Sequence, residues 1–112
     1  MPYLHLRTNI EVEDEQDFLQ KCSTALAREL GKPERYVMVS LAQGVPLRFA
    51  GTAEPAAYVE LKSLGLTTAS TAPLSAAICE LLANELGIDR ARVYIEFASP
   101  DRAMFGWNGG TF

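Results

Sequence analysis

Residue 2 is a proline, and it leads directly into Tyr3-Leu4-His5-Leu6-Arg7-Thr8, an alternating run that reads as a β-strand. With Met1 removed, the chain opens on a secondary amine held by a rigid element. An α-amino group titrates at about 8, so such an amine can take up and return a proton near neutral pH. Proton abstraction next to a carbonyl needs a base of that kind, which makes Pro2 a candidate catalytic base. With Met1 still attached, the Pro2 nitrogen is a tertiary amide with no basic lone pair. The structural alternative is a proline opening an edge strand, where its missing N–H costs nothing. The two cysteines, Cys22 and Cys79, lie inside helical patterns with no CxxC or Cys/His spacing. They read as small buried hydrophobes in a reducing cytosol.

The elements that would hold these residues come twice. Leu26-Ala27-Arg28-Glu29-Leu30-Gly31 matches Leu82-Ala83-Asn84-Glu85-Leu86-Gly87, 56 residues further on. The match continues from Val37, Val39 and Leu41 to Val93, Ile95 and Phe97. In the first half Phe18, Cys22, Leu26 and Leu30 recur at every fourth residue, a helical stripe that begins near Asp14 and stops at Gly31. Leu74, Ile78, Leu82 and Leu86 repeat it in the second half, with Ser70 or Thr71 as the cap, Pro73 in the first turn and Gly87 at the left-handed end. Strands are expected over 2–8, 36–41, 57–64 and 92–97, with a loop from Ala42 to Pro55. The fold class is α/β: two β-α-β repeats forming a four-stranded mixed sheet with both helices on one face.

The other face of that sheet would carry Tyr36, Met38, Tyr58, Tyr94 and Glu96, a set too apolar to leave wholly in water. Oligomerisation would cover it. The tail Phe105-Gly106-Trp107-Asn108-Gly109-Gly110-Thr111-Phe112 cannot make a core of its own, so it is expected to dock on a neighbour, with folding back on its own subunit as the alternative.

The chain of 112 residues forms one domain, 1–112. Its composition, 48% hydrophobic and 21% charged, is that of an ordinary globule large enough to fold without metal or disulfides. A net charge of −4 with scattered basic residues argues against nucleic acid. No segment approaches the ~18 apolar residues of a membrane-spanning helix, and the N-terminus lacks the pattern of a signal peptide.

Met-Pro before a strand, Gly31-Lys32-Pro33 after the first helix, Ser63-Leu64-Gly65, Arg92-Val93-Tyr94-Ile95 and Phe105-Gly106-Trp107-Asn108 occur in one order along the chain. Together with the half-length repeat, this closely resembles the macrophage migration inhibitory factor family of the tautomerase superfamily. The resemblance implies a homotrimer with active sites at the subunit interfaces, acting on α-keto acids such as phenylpyruvate without metal or organic cofactor. It implies that Pro2 is the base and that Lys32 binds the substrate's carboxylate or carbonyl. Leu64 takes the place of a branched pocket residue, Tyr94 and Glu96 come from the adjacent subunit, and Tyr36, Phe105, Trp107 and Phe112 form an aromatic wall. Burial and the Lys32 charge both disfavour a protonated amine and would lower its pKa, and Lys32 would stabilise an enol oxygen.

The chain also departs from the family. Where cytokine members carry CxxC, it has Ala56 and Val59, so thiol-disulfide activity is not supported. Position 96 is Glu where an amide is usual, and Glu11 and Gly44 stand near receptor-binding loop positions without matching them. The leading expectation is a phenylpyruvate tautomerase of the cytoplasm. Alternatives are a cytokine-like binding protein with a vestigial pocket, exported without a signal peptide, and a hydratase or decarboxylase using Glu96.

Overall fold

The computed structural model describes residues 1–112. Strand β1 (Tyr3–Thr8) is followed by helix α1 (Glu15–Leu30) and β2 (Met38–Ala42), and the second unit is β3 (Ala57–Lys62), α2 (Thr68–Leu86) and β4 (Val93–Ala98). The four strands form one mixed sheet in the order β2-β1-β3-β4. Each unit supplies a parallel pair, β1 with β2 and β3 with β4, and the units join through antiparallel β1 and β3. The sequence repeat is therefore a repeat in space, and the expected fold class holds.

The helical stripes become the core. Phe18, Cys22 and Leu26 of α1 and Leu74, Ile78 and Leu82 of α2 are buried against Leu4, Leu6, Val59 and Leu61 of the central strands. Each fully buried aliphatic side chain contributes about 1.5–3 kcal/mol. Burial pushes the Cys22 thiol up to about 12, with a smaller push from Glu85, so it stays protonated and inert. Along the seam between the helices, Lys21 binds Glu85 at 2.8 Å. Beyond it the small residues Ala25 and Ala77 leave a cavity of about 230 Å³ that reaches Leu6 and Val59.

Several boundaries differ from the sequence expectation. Helix α2 starts a turn early: Thr67 is its cap, and the Ser70 hydroxyl accepts from the Thr67 N–H at 3.2 Å. Pro73 consequently lies inside the helix, where an exposed position leaves the freed Ala69 carbonyl to solvent. Tyr36 closes a short 3₁₀ turn, Glu34–Tyr36, ahead of β2. The tail forms its own hairpin, β5 (Gly106–Trp107) against β6 (Gly110–Thr111), with Asn108 at φ 51° and Gly109 at φ 79° in the turn.

The sheet face away from the helices is more polar than expected. One row across all four strands reads Ser40, His5, Glu60, Glu96. Ser40 Oγ is hydrogen-bonded to His5 Nδ1 and to Tyr3 Oη, and Arg7 pairs with Glu60 at 3.2 Å. Apolar surface remains at Met38 and Tyr94, each 63% exposed, and at Trp107, 49% exposed.

Candidate active site

Gly31 ends α1 in the left-handed conformation (φ 63°, ψ 35°), and the next amide, that of Lys32, bonds back to the Ala27 carbonyl at 3.0 Å. This turn directs Lys32 off the helix and toward the end of β3. There its Nζ donates to Ser63 Oγ at 3.1 Å and to the Leu64 carbonyl at 2.8 Å. Ser63 and Leu64 are both buried, so the ammonium is held by acceptors that cannot swing away. A cavity of about 320 Å³ lies against Lys32, Ser63 and Leu64 and is closed by the start of α2. The aromatic residues do not line it.

Pro2 is fully buried, and its carbonyl accepts from the Met38 N–H at 3.0 Å, which docks the start of the chain beside β2. The Met1 amine lies next to Lys32. Burial, then the nearby Lys32 charge, then that of Arg102 hold this amine below the usual α-amino range. The structure thus brings the start of the chain, Lys32 and Leu64 to one place.

The aromatic residues gather as a second group. Trp107 meets Tyr36 edge-on at 5.8 Å and stacks on Phe112 at 5.8 Å, and Phe112 meets Phe105 at 6.0 Å. Within the chain the tail folds back on itself and on Tyr36. The cause is local: the Asn108-Gly109 turn returns Phe112 to Phe105, whose carbonyl accepts from the Phe112 N–H at 3.1 Å.

Tyr94 and Glu96 are placed elsewhere. Both belong to the exposed face of β4, and no hydrogen bond or ion pair links either to Lys32 within the chain. Tyr58 Oη donates to Glu96 Oε1 at 3.1 Å, which raises the Tyr58 pKa. Tyr94 packs on Phe49 at 4.8 Å. Arg92 holds Phe49 there by donating to the carbonyls of Phe49, Thr52, Glu54 and Pro55 at 2.9–3.4 Å.

Sequence reasoning passed over Ser63, Arg92 and Arg102 as functional residues. Ser63 stands in the Ser63-Leu64-Gly65 motif, which offered a signal. Arg92 opens the Arg92-Val93-Tyr94-Ile95 motif, but its partners lie across the fold, and Arg102 carries no local pattern, its partner being at the end of the tail.

Paired β-α-β units joined through antiparallel central strands, with a chain-opening amine beside a lysine, describe a protein of the tautomerase superfamily. The sequence matches the family model Macrophage migration inhibitory factor (MIF) over residues 1–112. The chain belongs to that family. It is 38% identical to a macrophage migration inhibitory factor homolog of Brugia malayi, over 100% of this chain and 99% of that one. It is 34% identical to the factor of Rattus norvegicus at the same coverage. Among solved structures, the homologue from Prochlorococcus marinus superposes with a TM-score of 0.93 at 42% identity, covering 98% of each chain. The factor from Trichinella spiralis superposes with a TM-score of 0.93 at 36% identity, covering 98% of this chain and 99% of that one.

Proposed function

We propose that the protein is a keto–enol tautomerase acting on phenylpyruvate-like α-keto acids, with the Pro2 amine as general base once Met1 is removed. The observation that carries this reading is that the Met1 amine, one residue before the buried Pro2, lies beside Lys32, whose ammonium is oriented by Ser63 and the Leu64 carbonyl. The amine nitrogen takes a proton from the carbon next to the keto group. That C–H electron pair becomes the C=C bond of the enol, and the C=O pair moves onto oxygen. Lys32 stabilises this oxygen, and the proton is then delivered to it.

Tyr36, Phe105, Trp107 and Phe112 form the wall for the phenyl ring, and Leu64 contributes its apolar side. Tyr94 and Glu96 enter the site from an adjacent subunit of a homotrimer. The lack of any hydrogen bond between them and Lys32 within one chain and the exposure of Tyr94, Met38 and Trp107 support that assembly. Nothing in this chemistry requires a metal or organic cofactor. No helix is long and apolar enough to cross a membrane, and the two free cysteines fit work in the cytoplasm.

The test is turnover of enol phenylpyruvate by protein shown by intact mass to lack Met1. Pro2→Gly keeps an amine but loosens its placement, and kcat is expected to fall by about 10²-fold, in the range of a misplaced acid–base group. Full activity in a preparation carrying Met1 on every chain would show that Pro2 is not the base.

A further inference from the structure

We propose that Arg102 is a second cationic residue of this site, binding the substrate carboxylate through its two terminal guanidinium nitrogens while Lys32 faces the keto oxygen. The proposal rests on the tautomerase reading above and assigns the substrate's two polar ends to different residues.

Arg102 opens the 3₁₀ turn Arg102–Met104 between β4 and the tail hairpin. Its Nε donates to the Phe112 main-chain oxygen at 3.2 Å, and Phe112 stacks on Trp107, which in turn meets Tyr36. Tyr36 closes the turn that starts two residues after Lys32, and two residues later Met38 holds the Pro2 carbonyl. An unbroken set of contacts thus runs from the start of the chain along the aromatic wall to Arg102. The Arg102 charge, after burial and the Lys32 charge, helps hold the Met1 amine below the usual α-amino range.

Counting donors divides the labour. An ammonium carries three protons, and Lys32 uses two on Ser63 Oγ and the Leu64 carbonyl. One remains, which suits a single oxygen. Arg102 uses only Nε within the chain, so both terminal nitrogens remain as a fork matched to the two oxygens of a carboxylate. Neither Lys32 nor Arg102 pairs with any Asp or Glu, although the chain carries a net charge of −4. An anionic ligand reaching both would therefore displace no Asp or Glu from either. The ligand class is an aryl 2-oxo acid ionised at its carboxylate, and neutral esters or amides of the same shape should be poor ligands.

The experiment uses full-length protein free of Met1 and compares phenylpyruvate with its methyl ester for wild type, Arg102→Ala and Arg102→Lys. Arg102→Ala should raise KM for the acid about tenfold or more, the worth of a hydrogen bond to a charged group, and leave KM for the ester within about twofold. Arg102→Lys should recover part of the loss. Equal losses for acid and ester would mean that Arg102 only holds the tail through Phe112, and would overturn the proposal. So would an unchanged KM for the acid.

If wild type turns over neither compound, the tautomerase reading fails, and calorimetric titration with 3-phenylpropionate and 3-phenylpropanamide still decides the role of Arg102. Preference for the anion in wild type, lost in Arg102→Ala, supports it. No preference in wild type, or the same preference in both proteins, overturns it.

Discussion

Lys32 reaches its place because a left-handed glycine ends the helix before it and because Ser63 and Leu64 present two buried oxygens where it arrives. A cation held there disfavours a second positive charge on the neighbouring amine, so removing it should raise the pKa of the proposed base. The free amine is the working form. In Lys32→Ala the acid limb of the kcat/KM profile for phenylpyruvate should move to higher pH, with weaker binding throughout. An unmoved limb would separate Lys32 from the base. Glu96 lies opposite Glu60 across β3 and β4 and accepts from Tyr58. As a carboxylate it opposes an anionic substrate, so Glu96→Asn should increase phenylpyruvate turnover. A fall in turnover would instead make Glu96 a working acid or base, as the hydratase reading requires.

Among the elements, the long connection between β2 and β3 depends on one side chain. Arg92 bonds four of its carbonyls and lies over the Phe49 ring at 5.3 Å, which in turn supports Tyr94. Arg92→Ala leaves these oxygens without their charged donor and should cost about 2 kcal/mol of stability in a denaturant titration, the scale of hydrogen bonds to a charged group. A change below about 0.5 kcal/mol, typical of ordinary surface substitutions, would show that the loop keeps its shape unaided. Because Phe49 packs on Tyr94, the same variant should also weaken whatever contact Tyr94 makes with a neighbouring subunit.

At the level of the whole molecule, the helices cover only one face of the sheet. The other carries the row Ser40, His5, Glu60, Glu96 together with Met38 and Tyr94, each 63% exposed. A mixed surface of satisfied polar groups with isolated large apolar ones is suited to an interface between subunits. Sedimentation equilibrium at micromolar concentration is expected to give three times the 12.3 kDa chain mass. A monomer would leave Tyr94 and Glu96 without a subunit to reach and would remove the shared site.

The duplicated β-α-β plan was legible in the sequence because its signals are local. Apolar residues at every fourth position, the glycines at 31 and 87 and the alternating strands each need only a few neighbouring residues to be read. The stripes named from sequence are the buried ones, with Leu30 and Leu86 left half-buried at the helix ends. Pro2 and Lys32 could likewise be singled out, as a proline before a strand and as a residue of the Gly31-Lys32-Pro33 motif. What those residues meet depends on contacts made far along the chain. Ser63 comes to Lys32 only through the packing of α1 against the end of β3, and Arg102 comes to Phe112 only once the tail has turned back. Tyr58 finds Glu96 through the pairing of β3 with β4, a partner 38 residues away. Even the start of α2 was decided by geometry, since Thr67, Ser70 and Thr71 are all able to cap and only the path from β3 selects among them. Local periodicity sets which segments form helices and strands, whereas the partners of polar side chains follow from distances that exist only after those segments have packed.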